Sequence, residues 1–157
     1  MASLTALTML VLVAAPALPL PPPPPPPAPA HRLASHLVAG VLQTPGALPP
    51  ASAYAVSVAV EGGPPRLGAY LADHVEAAVG RTVTGVTRVA VGDLGQTHRL
   101  SVDVRVRRAS VHATARLVRL PGSFWERIRE PSGQVVGTSA AAAEMDLELR
   151  ILADTRA

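Results

Sequence analysis

Hydrophobic and polar residues alternate most clearly between His98 and Arg108, and this period of two predicts a β-strand. Val111 to Leu120 repeats the period and is the expected antiparallel partner, joined through a turn around Ala109-Ser110. A symmetric turn there would place Asp103 opposite Arg116 on the outer face, as an oppositely charged cross-strand pair. The inward pairs expected from the same register are Val106–Ala113, Val104–Ala115 and Val102–Leu117.

Two helices are predicted ahead of this hairpin, because hydrophobic residues recur at helical spacing in His31–Gln43 and Arg66–Val79. Pro65 is expected at the first helical position of the second helix, and Gly80 at its C-terminal cap. We expect this second helix to pack on the alanines of the hairpin, whose small side chains allow a close approach. The residues that share its inward face are Leu67, Leu71, Val75, Ala78 and Val79.

Three further strands are predicted at Tyr54–Val60, Thr82–Val91 and Gln134–Thr138. The segment Ala140–Ala153 is ambiguous, since its alanines favour helix whereas its last hydrophobic residues alternate; we interpret it as helical. The order of elements predicts an α+β fold: an antiparallel sheet of about four to five strands with two to three helices packed on one face.

The first thirty residues differ from the rest, because every charged residue lies at Arg32 or later. The uncharged apolar run Leu4–Leu20 begins with the stretch Leu4–Val13, which has the length of a signal-peptide core, although no basic residue precedes it. Ala15-Pro16-Ala17 and Ala28-Pro29-Ala30 fit a loose cleavage pattern. An uncleaved membrane anchor is the alternative, but spanning takes about 20 apolar residues and Pro16 interrupts the run.

Pro21–Pro27 is an unbroken run of prolines and is expected to form a polyproline II rod, about 20 Å long at ~3.1 Å per residue. The predicted organisation is therefore a signal peptide or apolar leader at 1–20, a polyproline linker at 21–30 and a single α+β domain at 31–157. This arrangement predicts an exported protein, periplasmic or extracellular after cleavage and membrane-anchored if uncleaved.

Composition narrows the classes of function. The chain has no cysteine, which excludes disulfides and a lipidated cysteine, and its net charge is only +3. A nucleic-acid-binding protein concentrates basic charge more strongly, so no specific nucleic-acid partner is expected. No nucleotide-binding, metalloprotease or serine-hydrolase motif occurs, and the five histidines are scattered. No catalytic residue, metal site or cofactor is predicted.

Two groups of residues are candidates for partner binding. The outer face of the hairpin collects Arg105, Arg107, His112 and Arg116, which would suit an anionic partner or form an ordinary solvated sheet face. The pair Phe124-Trp125 holds two of the four aromatic residues, and it would either anchor a partner or cover an end of the core.

Five segments between Tyr54 and Leu152 carry a resemblance to a known family: Val56–Val60, Leu71-Ala72, His112–Val118, Ser123–Trp125 and Ala142–Arg150. With these segments the chain resembles a module found in exported proteins of myxobacterial type. In that family an α+β module similar to the N-terminal domain of the translocation protein TolB often precedes FG-GAP (VCBS) repeats. The resemblance implies an envelope adaptor and supplies no catalytic residues.

These observations favour an exported, non-catalytic binding domain whose partner is another envelope protein or an anionic surface. One alternative is a small hydrolase with a dispersed His/Asp site, which would require His74, His98 or His112 to share a pocket with a carboxylate. The other is a basic module that binds nucleic acid or anionic lipid, with affinity that falls steeply with salt. An exposed apolar patch around Trp125 would favour the adaptor.

Overall fold

The computed structural model describes residues 22–25 and 27–154, and the leader predicted at 1–20 lies outside them. Pro22–Pro25 are exposed and belong to no helix or strand. Within the described ranges, no helix combines the length and the apolar character that crossing a membrane requires. The elements in chain order are α1 (Pro29–Val41), β1 (Ala53–Glu61), α2 (Pro65–Thr82), β2 (Thr87–Arg88), β3 (His98–Val106), β4 (Ser110–Arg119), α3 (Phe124–Arg129), β5 (Gln134–Glu144) and α4 (Leu147–Ala153).

The five strands form one mixed sheet in the order β2-β1-β3-β4-β5. The α+β class is confirmed, but the expectation of a purely antiparallel sheet is wrong because β1 runs parallel to both β2 and β3. The reason lies in α2, which follows β1 and returns the chain to the starting end of the sheet, so that the next strands run in the same direction. Only the β3–β4 and β4–β5 pairs are antiparallel.

Helices α1 and α2 pack on the same face of the sheet and enclose the hydrophobic core. The inward face predicted for α2 is confirmed, since all five of its predicted residues are buried. The helix that covers the inward alanines Ala113 and Ala115 is, however, mainly α1, which packs on β4 and β5 while α2 packs on β1. Pro65 begins α2 as expected, but the helix continues past Gly80 to Thr82.

The predicted hairpin forms, but its register differs by two residues. Val104 lies opposite Ala113 and Val106 opposite Val111, because the turn is centred nearer Arg108 than Ala109-Ser110. A shift of two keeps every side chain on its predicted face. Asp103 now pairs with Thr114 across the strands, and Arg116 still reaches the Asp103 carboxylate diagonally, with Nη2 3.3 Å from Oδ2.

The helix predicted over Ala140–Ala153 is wrong in its first half. Residues 140–143 continue strand β5 because β4 offers a complete antiparallel partner, and this pairing overrides the helical propensity of alanine. Only Leu147–Ala153 is helical; the Asp146 side chain accepts a hydrogen bond from the Leu149 N–H (2.8 Å) and caps α4. The strand predicted over Thr82–Val91 is likewise reduced to the two residues of β2.

Candidate functional site

The sheet face opposite α1 and α2, called the outer face below, carries the predicted basic residues of the hairpin. Arg105, His112 and Arg116 are exposed there, and Arg107 follows the end of β3. Arg105, Arg107 and His112 line an open depression of about 630 Å³, together with Glu61 and Thr114. Arg116 does not line this depression. The structure therefore brings Arg105, Arg107 and His112 together, whereas Arg116 lies farther along β4, four residues after His112.

Carboxylates neutralise much of this basic group. The Arg105 Nε lies 2.9 Å from Glu61 Oε2, and the Arg116 Nη2 lies 3.3 Å from Asp103 Oδ2. All four side chains are more than half exposed, so each pair contributes at most about 1 kcal/mol. The depression consequently has a mixed charge, and it does not present the concentrated basic surface that a nucleic-acid site requires.

Phe124 and Trp125 begin α3, a helix that the sequence analysis did not predict. The Ser123 hydroxyl oxygen accepts a hydrogen bond from the Glu126 N–H (3.2 Å), and Glu126 Oε2 accepts one from the Gly122 N–H (2.8 Å). The sequence carries the S-x-x-E signal of a capping box, and the Glu126 carboxylate reaches back to Gly122, the residue before the N-cap. Backbone N–H groups of Gly122 and Ser123 also hold the pKa of Glu126 below its usual value, so the cap remains charged.

The interpretation that Phe124-Trp125 covers the core is wrong. The two rings are 66% and 69% exposed, and Ile128, one turn later, is 58% exposed. No residue of α3 is buried. The rings contact each other edge to face, with centroids 5.5 Å apart. The helix is therefore held by its cap and its own flanking turns, and it presents its apolar side chains to solvent.

Further exposed apolar residues lie at the same end of the sheet. This end, where β3 begins and β4 finishes, is closed by a hydrogen bond from the Leu120 N–H to the Thr97 carbonyl (2.8 Å). The loop before β3 carries Leu94 fully exposed, and Val135 is 53% exposed at the start of β5. We call this surface the aromatic end and define it by Leu94, Phe124, Trp125, Ile128 and Val135.

Leu94 was not among the predicted site residues; it lies in the turn Gly92–Gly95, between β2 and β3. The Asp93 carboxylate accepts a hydrogen bond from the Gly95 N–H (2.8 Å), and the Gln96 side-chain oxygen accepts one from the Gly92 N–H (3.0 Å). The turn is thus ordered by its own polar groups with no hydrophobic contact from Leu94. A leucine between two glycines of a turn was the available signal.

Three of the predicted basic residues, Arg105, Arg107 and His112, lie at the opposite end of the sheet from the aromatic pair, and Arg116 lies between the two ends. His112 and Arg119 are seven residues apart on β4, or about 23 Å at ~3.3 Å per residue, and α3 follows Arg119. The basic group and the aromatic pair therefore form two separate surfaces. A single compact partner loop would not contact both.

His112 shares the open depression with the carboxylates of Glu61 and Asp103, as the hydrolase alternative requires, but Arg105 and Arg116 already engage those carboxylates. His98 is buried next to Thr97, with Nδ1 2.9 Å from the hydroxyl oxygen, and burial followed by the charge of Arg119 lowers its pKa. His112 Nε2 lies 3.0 Å from Ser110 Oγ on the exposed hairpin, but no hydrogen bond to a carboxylate orients this imidazole within the described residues. Those residues likewise contain no group of three metal-ligating side chains.

His74 belongs to a cluster of aromatic and imidazole rings between α1, α2 and α4. Its ring contacts Tyr70 edge to face (4.6 Å between centroids) and lies 6.4 Å from the His31 ring. Burial lowers the pKa of His74, whereas burial and a hydrogen bond to Glu148 raise the pKa of Tyr70 to about 12. These contacts join three helices and serve the packing of α4.

No protein-family model and no curated protein matches the chain. Two solved structures are similar to it: the LpoB C-terminal domain from Salmonella enterica (TM-score 0.53, 13% identity) and the LpoB C-terminal domain from Escherichia coli (TM-score 0.55, 12% identity). Each comparison covers 74% of this chain and 98% of that domain. Similarity at this level of identity shows a common fold and assigns no site.

Proposed function

We propose that this chain is an exported, non-catalytic binding domain that recognises another envelope protein through its aromatic end. The observation that carries the proposal is the exposure of Phe124, Trp125 and Ile128 on a helix that contributes nothing to the core. Large apolar side chains cost free energy when they face water, so an ordered helix that displays three of them suits a surface that becomes buried in a complex.

The composition of this surface agrees with a protein interface. Aromatic and arginine side chains are the residues that most often dominate binding energy, and here Arg127 and Arg129 follow the aromatic pair in α3. Edge-to-face contact between Phe124 and Trp125 restricts both rings before binding, which lowers the entropic cost of association.

Export is supported by the sequence that precedes the fold. An apolar run free of charge leads into consecutive prolines, and the first helix of the domain begins at Pro29. The same fold occurs as a C-terminal domain in LpoB, which agrees with a fold that other sequence precedes. The resemblance to exported TolB-type modules remains a prediction.

A photo-crosslinking comparison tests the binding surface. A photoreactive phenylalanine is placed at Trp125 in the full chain, and the matched control carries it at Leu147, an equally exposed apolar residue (74%) on α4. In cells of the source organism we expect position 125 to yield an adduct with an envelope protein and position 147 to yield none. Equal crosslinking at both positions would contradict the proposal. So would a result in which the same probe placed at Arg107 gives the adduct and the probe at Trp125 does not.

Intact-mass analysis of the exported chain tests the predicted signal peptide and its cleavage site. A mature N-terminus near Leu18 or His31 is expected from the two cleavage patterns. Recovery of the whole chain in the membrane fraction would contradict the cleaved signal while leaving the crosslinking result valid.

A further inference from the structure

Strand β5 is an edge strand of unusual length for its position. It runs over eleven residues, Gln134–Glu144, and pairs with β4 on one side. Within 22–25 and 27–154, no backbone group of another segment hydrogen-bonds its outer side. The opposite edge of the sheet ends in the two-residue β2. Long edges with free N–H and C=O groups are templates for a further strand.

The usual protection of such an edge is absent from β5. Between its terminal residues the strand has no charged residue and no proline, and its side chains from Thr138 to Ala143 are small. The register shift beside Val136 bends only the beginning of the strand, so that Gly137–Glu144 pairs regularly with β4. An added strand along these eight positions would form about eight backbone hydrogen bonds.

The position of α1 determines what kind of strand could pair with the free side of β5. This helix packs directly on the inward face of β5: the Ser139 hydroxyl donates to the His36 carbonyl (3.5 Å), and no room for a Cβ exists between Gly137 and the Val41 carbonyl. Neighbouring strands lie about 4.8 Å apart, whereas packed helices need about 8–10 Å. Two copies joined through β5 would bring their α1 helices too close, whereas a lone extended segment brings no helix.

The charge on the outer face beside β5 indicates which charge an added strand would carry. Thr138, Ala140 and Ala142 are exposed on β5 and lie opposite Arg116, Thr114 and His112 of β4. Since the β5 side chains are short, outward side chains of an added strand reach across them toward β4, on the order of 10 Å away. Arg116 is more than half exposed and has further N–H donors besides the one directed at Asp103. A carboxylate is the group that complements it.

We propose that β5 accepts an extended segment of a partner protein as a sixth strand, and that an acidic residue of this segment, beside Thr138, pairs with Arg116. The inference is independent of the aromatic end, because it depends on the backbone of β5 and on the outer face beside it. Backbone hydrogen bonds supply affinity in this mode of recognition, and the alternate side chains supply specificity.

Two synthetic eight-residue peptides test the proposal on the purified full chain. Both alternate threonine with a charged residue, which is glutamate in one and lysine in the other. In an NMR titration we expect the glutamate peptide to shift the amide signals of β5, and to bind at least about fivefold more tightly than the lysine peptide. The Arg116→Gln variant should reduce this difference, whereas Arg107→Gln, at the far end of the outer face, should preserve it.

Proline substitutions locate the binding edge. Successive N–H groups of a strand point to opposite sides, so one of the variants Ala141→Pro and Ala142→Pro removes an outward N–H and the other breaks the ladder with β4. The variant that retains wild-type stability is expected to lose peptide binding. The proposal is overturned if both peptides bind equally, if the shifts lie outside β5 and its neighbours, or if the stable proline variant still binds. Dimerisation of the chain through β5 would also overturn it.

Discussion

Gly137→Ala is expected to destabilise the protein severely, because this glycine is the place where α1 meets β5. A Cβ at position 137 would lie 2.0 Å from the Val41 carbonyl oxygen and 2.9 Å from its carbonyl carbon, whereas ordinary contact begins at 3.4 Å. Both are backbone atoms, so no side-chain rotation relieves the clash. The end of α1 must move by more than an ångström, and Val38 and Val41 would lose part of their burial.

Overpacking of this kind costs about 1–3 kcal/mol. With a urea m-value of about 2 kcal/mol/M, the unfolding midpoint should fall by about 0.5–1.5 M. The assay is urea denaturation followed by far-UV circular dichroism. Gly80→Ala is the matched control: a Cβ there meets nothing within 4 Å, and alanine should stabilise α2 by about 0.5–1 kcal/mol. A midpoint for Gly137→Ala equal to that of the wild type would refute the close packing of α1 on β5.

Three other predictions follow from the described side chains. The sole tryptophan, Trp125, should be quenched by acrylamide almost as strongly in the native as in the unfolded protein, and strong native protection would contradict its exposure. The lowered pKa of His98 means that the unfolded state binds the proton more tightly, so stability should decrease as pH falls from 7.5 to 5.5; His98→Gln should flatten this slope in denaturation curves, and an unchanged slope would argue against it. Ser123→Ala removes the cap of α3, so amide hydrogen exchange in Glu126–Arg129 should accelerate while the global unfolding free energy changes by less than about 0.5 kcal/mol; a large global loss would show that α3 supports the core.

Local pattern predicted most of the elements correctly. The helix α2 with its buried face, strands β1, β3 and β4 and the inward side of each were all readable, because the hydrophobic period is set by backbone geometry within the element. The errors in secondary structure occurred where pairing with a neighbouring strand determines the backbone conformation. Ala140–Ala143 has helical propensity but lies beside β4, and pairing there outweighs the few tenths of a kcal/mol per residue that propensity contributes.

The candidate surfaces divide in the same way. The sequence alone determined that Arg105, Arg107 and His112 share a face and that Phe124-Trp125 follows a break, since both depend on neighbours along the chain. Only the tertiary structure decided that the aromatic pair faces solvent, that β1 and β3 are parallel and that β5 is an edge strand among the residues that the structure describes. Each of these depends on which distant segments pack together, and that outcome is set by burial and strand pairing summed over the whole fold.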